Sequence, residues 1–262
     1  MAMPIIEMTR FSFSIGGKEI LTDISFVVSE GEYISIVGPN GAGKTTLLKC
    51  LSRIHRGGCG DIKIAGRPLK KYSQRELALQ VSYVPQADGR NSPFTVYEFV
   101  MMGRYPYFSP FSSPSAADKN AVRDSLAITG TSEFEERYLR TLSGGERQKI
   151  FIAAALAQRA RILLLDEPTT FLDPKHEADI YGLLARVNRE RHVTVISVTH
   201  DINSAVLTSR TVMALKDGAV AFCGPAEEFM NNDILQEVYD KAFALVKHPL
   251  HGRTIVAPEA PL

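Results

Sequence analysis

One stretch constrains this chain more than any other: Gly38-Pro39-Asn40-Gly41-Ala42-Gly43-Lys44-Thr45, which fits the spacing G-x-x-x-x-G-K-[ST]. Just before it runs Tyr33–Val37 (YISIV), a short apolar segment that reads as a buried strand. Just after it, Thr46–Ser52 begins as a helix. In that order, the glycines let the backbone curl so that successive N–H groups point inward at phosphate oxygens. The helix N-terminus adds a partial positive charge at the same place. Lys44 is then expected to reach the β- and γ-phosphates of a nucleotide, and the Thr45 hydroxyl to ligate Mg²⁺.

The rest of the chain supplies a matching scaffold. Ile24–Val28 reads as a strand closed by Glu30-Gly31-Glu32, and Asp61–Ala65 as an edge strand ending at Gly66-Arg67-Pro68. Ser73–Ala78 starts a helix, with Ser73 capping and Glu76 three residues later. Val81–Val84 is a strand ending at Pro85-Gln86. From Asp88 to about Ala160 the character turns helical: Tyr105–Ser115 reads as a loop, Ala116–Thr129 and Ser143–Gln158 as helices. Ile162–Leu165 and Val193–Val198 read as buried strands, with Pro174–Arg191 a helix between them and Asp201–Thr208 starting another. Val212–Leu215 and Val220–Phe222 flank an Asp217-Gly218 hairpin turn. Strands alternating with helices argue for a parallel sheet covered on both faces.

Composition narrows the function classes. The net charge of +1 gives no case for a polyanion-binding surface, so no nucleic acid partner is expected. The cysteines, Cys50, Cys59 and Cys223, form no CxxC pair and read as reduced thiols of a cytosolic protein. The first ten residues hold no apolar run of the kind that marks a secretory signal. The best apolar run, Ile150–Ala157, is eight residues long, far short of the roughly 18 needed to span a bilayer. Any membrane role is therefore expected to come through a partner.

Two further segments carry chemistry. Ile162–Leu165 ends in Asp166, and a carboxylate at the end of a buried strand is costly without a partner. A Mg²⁺ shared with Thr45 would supply one. Glu167 follows and projects differently, so it can face an attacking water, as general base or as the group that orients the water. Leu142-Ser143-Gly144-Gly145-Glu146-Arg147-Gln148 is a good helix start, with Ser143 capping and Glu146 three residues on. Two adjacent glycines at a helix start also make a second phosphate site, which suggests that two chains share nucleotides.

These motifs, in this order and over roughly Ile5 to Val256, resemble those of the ABC transporter ATPase family. The resemblance implies an α/β fold: a P-loop NTPase (RecA-like) core with an N-terminal antiparallel β part and an inserted helical subdomain. It implies one domain over 1–262, with the core at 1–87 and 161–222, the helical part at 88–160 and a C-terminal tail at 223–262. ATP and Mg²⁺ are the expected ligands. The ATP site comprises Gly38, Pro39, Asn40, Gly41, Ala42, Gly43, Lys44, Thr45, Thr46 and Ile15. Thr45, Gln86 and Asp166 serve the metal. Ser143, Gly144, Gly145, Glu146 and Asp173 contact the nucleotide of a second, head-to-tail copy. Gln86 matches the glutamine that senses metal and water, His200 the switch histidine that contacts the γ-phosphate, and Leu172-Asp173 the loop that communicates across the dimer. Glu167, His200, Gln86 and Lys44 form the catalytic set.

One position departs from the family pattern. Ile15, before Gly16-Gly17, stands where an aromatic residue usually stacks on adenine; Phe13, on the same strand face by alternation, is a candidate substitute. Met101-Met102-Gly103-Arg104-Tyr105-Pro106-Tyr107, Thr169-Thr170-Phe171-Leu172-Asp173 and a tail running from Gly224-Pro225 to a hairpin-like Gly252–Val256 resemble ATPases of iron–siderophore, haem and cobalamin importers. The resemblance implies transmembrane permease partners, an indirect link to a periplasmic or lipid-anchored substrate-binding protein, and a place on the cytoplasmic membrane face. A zinc or manganese importer, or an exporter, is the alternative.

Overall fold

The computed structural model describes residues 4–86, 92–109, 113–250 and 252–257. In chain order the elements are β1 (Pro4–Ile15), β2 (Lys18–Ser29), β3 (Tyr33–Val37), α1 (Lys44–Leu51), β4 (Cys59–Ile64), β5 (Arg67–Pro68), α2 (Gln74–Ala78), β6 (Val81–Val84), α3 (Val96–Met102), α4 (Ala116–Thr129), α5 (Gly144–Ala157), β7 (Ile162–Asp166), α6 (Pro174–Arg191), β8 (Thr194–Val198), α7 (Ile202–Thr208), β9 (Thr211–Lys216), β10 (Ala219–Pro225), α8 (Ala226–Phe229), α9 (Asn232–Tyr239), β11 (Leu245–Lys247) and β12 (Thr254–Val256). They form two compact units, residues 1–71 with 194–262, and residues 72–193.

In the first unit β1 pairs antiparallel with β2 and β4, and β4 with β5. The β1–β2 hairpin is far longer than the Ile24–Val28 strand legible in the sequence. Arg10 (φ 46) and Asp23 (φ 50) sit at register shifts, which break the two-residue alternation that marks a strand. Side-chain hydroxyls hold both kinks: the Arg10 N–H donates to Ser25 Oγ at 2.8 Å, and the Asp23 N–H to Ser12 Oγ at 3.0 Å. The same unit holds β3 between β8 and β9, parallel to both, with β10 antiparallel on β9. Every residue of β3 and β8 is buried, as strands covered on both faces require. Val37, at the end of β3, shares a core with Val206, Val212, Phe229, Leu235 and Val238. The expected Asp-Gly turn is present, with φ of 48 at Asp217 and 80 at Gly218.

In the second unit β6 and β7 run parallel, Val81 opposite Ile162 and Val84 opposite Leu165. Helices α3, α4 and α5 close a core of Val96, Val100, Val122, Leu126, Ile150 and Ala153. The expected capping box at Ser73 and Glu76 is formed, and so is one at Thr95 and Glu98 that opens the unforeseen α3. The stretch read as a loop from Tyr105 instead begins with a short 3₁₀ turn, Tyr105–Tyr107. Its anchor is the buried Arg104, which donates to Asp118 Oδ1 at 3.0 Å and to the Ala157 carbonyl at 2.7 Å and lies 3.6 Å over the Tyr107 ring. The start of the helical stretch at Asp88 and positions 110–112 of the expected loop lie outside the described residues.

Candidate nucleotide site

In the first unit the glycine loop leaves β3 at Gly38 (φ 137), where an added Cβ would lie 2.0 Å from the Leu215 carbonyl oxygen. At Gly43 (φ 96) a Cβ would lie 2.7 Å from Leu21 Cδ2. Both positions therefore demand glycine for conformation and for space. Lys44 opens α1 and is only 6% exposed. Its ammonium donates to the carbonyls of Gly38 at 2.8 Å and Pro39 at 2.9 Å, so the loop orients its own cation. A curled loop ending in a buried lysine at a helix N-terminus fits the phosphates of a nucleotide. Thr45 and Thr46 follow half-buried on the first turn, and Asn40 and Gly41 are exposed.

His200 is exposed just past β8. The next residue, Asp201, caps α7 by accepting from the Asn203 N–H at 2.9 Å. Ile15 lies at the tip of β1, 47% exposed. Phe13 is not a substitute for it as a base platform: its ring is buried and stacks on His55, with centroids 5.4 Å apart. The register shift between Phe13 and Ser14 undoes the alternation that would have aligned Phe13 with Ile15.

In the second unit Asp166 ends β7, 2% exposed, and accepts from the Tyr83 hydroxyl at 2.9 Å. Burial, then the Asp166 charge, push the Tyr83 phenol above its ordinary range. Glu167 follows in a left-handed conformation (φ 48), uncommon for a residue other than glycine. One carboxylate oxygen accepts from Gln86 Nε2 at 3.0 Å and from Thr170 Oγ1 at 2.9 Å. Gln86 and Glu167, separate candidates in the sequence, are thus direct partners. Tyr83 and Thr170 were missed: a tyrosine in a strand and a threonine in a Thr-Thr pair are ordinary in sequence, and only the fold sets them against the carboxylates.

The turn into α5 forms the expected capping box: the Ser143 N–H donates to Glu146 Oε2 at 2.8 Å, and the Glu146 N–H to Ser143 Oγ at 3.3 Å. The Ser143 backbone N–H foremost, and then the Ser143 hydroxyl, hold the Glu146 carboxyl below its usual range. Gly144 and Gly145 form the first turn of α5. Asp173 caps α6, accepting from the Lys175 and His176 N–H groups at 3.0 Å each.

A glycine loop closing on its own lysine, in a chain that also ends a buried strand in two successive carboxylates, defines a phosphate-loop nucleotide-binding protein. The ABC transporter family pattern matches residues 21–170. The iron(3+)-hydroxamate import ATP-binding protein FhuC of Bacillus subtilis (strain 168) is 38% identical over 97% of this chain and 94% of its own length. The hemin import ATP-binding protein HmuV of Streptomyces coelicolor is 38% identical over 93% of this chain and 86% of its own. Among solved structures, the dimeric post-hydrolysis state of an ATP-binding cassette bound to ADP and Pi superimposes with a TM-score of 0.73 at 28% identity, covering 84% of this chain and 98% of that one. The chain belongs to the ABC transporter family, as an ATP-binding, ATP-hydrolysing member. Among the described residues no helix is long and apolar enough to cross a membrane.

Proposed function

We propose that this chain energises the uptake of a metal chelate of the iron–siderophore, haem or cobalamin kind through separate membrane permease subunits, working at the cytoplasmic face as a head-to-tail pair. What carries the reading is alignment over nearly the full length with relatives named for iron(3+)-hydroxamate and hemin import. A substrate-binding protein is the expected indirect partner.

In this reading the phosphate loop and Lys44 take the β- and γ-phosphates, with Ile15 covering the base. Thr45, Asp166 and Gln86 are the residues that would hold Mg²⁺, which would supply neutralising charge at the phosphates. Glu167 orients or deprotonates the attacking water; Gln86 and Thr170 fix the carboxylate for that task. His200 contacts the γ-phosphate. Ser143, Gly144 and Gly145 of the second copy complete the site, so binding draws the copies together, and loss of the γ-phosphate releases them. Transition-state stabilisation falls mainly to preorganised charge and backbone N–H groups, which need no reorganisation as the reaction proceeds.

Glu167→Gln tests the site. Turnover should fall by about a hundredfold or more, while light scattering in Mg-ATP shows a stable dimer. A variant with wild-type turnover, or one that stays monomeric with ATP, removes the shared-site reading. For the cargo, cells producing this protein are compared with a deletion strain for uptake of labelled ferric hydroxamate, hemin, cobalamin and zinc. Loss confined to zinc would overturn the chelate assignment.

A further inference from the structure

His176 has no part in the chemistry described above, yet it occupies a decisive place. Its backbone N–H donates to Asp173 Oδ1 at 3.0 Å, and its ring Nδ1 meets Asp173 Oδ2 at 2.6 Å. A carboxylate can only accept, so Nδ1 carries the proton and the ring is held in one orientation. That ring lies directly on Gly145. A Cβ built at Gly145 would stand 2.3 Å from His176 Cδ2 and 2.6 Å from Cγ, so nothing larger than hydrogen fits. Gly144 differs: a Cβ there would meet only Leu172 Cδ2, at an ordinary 3.6 Å. The demand for glycine at position 145 therefore arises from within its own subunit. Further along the same two helices Lys149 donates to Asp179 at 2.9 Å, a second tie between α5 and α6.

We propose that His176 is a positioning residue. It sets the Ser143–Gly145 turn in register with the Asp173 turn, so that both meet the second copy's nucleotide as one rigid piece. This rests on the shared-site reading above. An error of about 1 Å in such a surface costs up to a hundredfold in a step that depends on its geometry.

The experiment is a double-mutant cycle in the Glu167→Gln background, reading ATP-induced dimerisation by light scattering and ATP binding to the separate subunit with a fluorescent analogue. His176→Ala should weaken dimerisation by between about ten- and a hundredfold, with subunit affinity for ATP unchanged. His176→Asn, which keeps a donor for Asp173, should restore most of it. Gly145→Ala should be defective because its methyl strikes the ring. The Gly145→Ala, His176→Ala double variant should lose less than the sum of the single variants. Strict additivity, or wild-type dimerisation of His176→Ala, overturns the proposal. Were His176→Ala to melt at a lower temperature, His176→Asn decides alone: dimerisation no better than in His176→Ala overturns it too. If the Glu167→Gln parent itself fails to dimerise, it is the shared-site reading that falls.

Discussion

At the scale of single residues, the fold reassigns side chains that looked interchangeable. Phe13 and Ile15 share a strand, but Phe13 is committed to His55 and only Ile15 stays exposed at the hairpin tip. An isoleucine covers a base by apolar contact without ring stacking. Ile15→Tyr should therefore tighten ATP binding several-fold and raise the preference for ATP over UTP, since base–aromatic stacking contributes ~1–3 kcal/mol. Fluorescence titration of the two nucleotides checks this; unchanged affinity for both would mean that Ile15 does not face the base. The course of the phosphate loop, by contrast, was legible, because the positive φ at Gly38 and Gly43 and the Lys44 bonds to Gly38 and Pro39 all lie within eight residues; the crowding of Gly38 by Leu215 and of Gly43 by Leu21 was not. The bonds from Tyr83 to Asp166 and from Gln86 to Glu167 were not legible. They join residues 83 and 81 positions apart, and no local pattern carries such a pairing.

At the scale of elements, helix starts were read well because caps are local: Ser73 and Ser143 both cap where the spacing placed them. Less was legible between Tyr105 and Ser115, where aromatics, prolines and serines suggested a loop and the structure begins with a 3₁₀ turn at Tyr105–Tyr107. What organises that stretch is the buried Arg104–Asp118 pair, 14 residues apart and so invisible to periodicity. The Asp118 carboxyl is held below its usual range first by the Ser115 hydroxyl, at 2.6 Å, against the opposing effect of burial, with further help from the Ser115 N–H and Arg104. A depressed carboxyl contributes stability that is present above its unfolded value and lost as pH falls through its folded value. Asp118→Asn should therefore cost about 3 kcal/mol near neutral pH, where it leaves a buried guanidinium without its counter-charge. The gap to wild type should stay level from about pH 5 to 8 and close below about pH 4. Urea titrations across that range measure it, and a gap that persists undiminished in acid would exclude the ion pair as its source.

At the scale of the whole molecule, the family pattern covers residues 21–170, but the core beneath the phosphate loop does not end there. Val37, immediately before Gly38, packs in a cluster with Ile202, Val206, Val212, Phe229, Leu235 and Val238, and the last three come from the tail. The tail is tied down by polar contacts as well. The Asn203 side chain bonds the Val256 carbonyl at 2.9 Å and N–H at 2.8 Å, and Arg253 donates to the Val206 carbonyl at 2.8 Å. Burying a large apolar side chain stabilises by ~1.5–3 kcal/mol, so three together supply roughly 5–9 kcal/mol. That is comparable to the whole stability of a typical domain, ~5–15 kcal/mol. The segment after Pro225 is thus part of what holds β3 and β9 in place rather than an appendage. A chain truncated after Pro225 should be largely unfolded or insoluble. Phe229→Ala, which opens a cavity and leaves the rest intact, should lose about 3–5 kcal/mol and melt well below wild type while still binding ATP when cold. Circular dichroism melts and a cold nucleotide titration separate the two effects. A truncated chain that melts cooperatively near the wild-type temperature would show that the loop's strand needs no support from the tail.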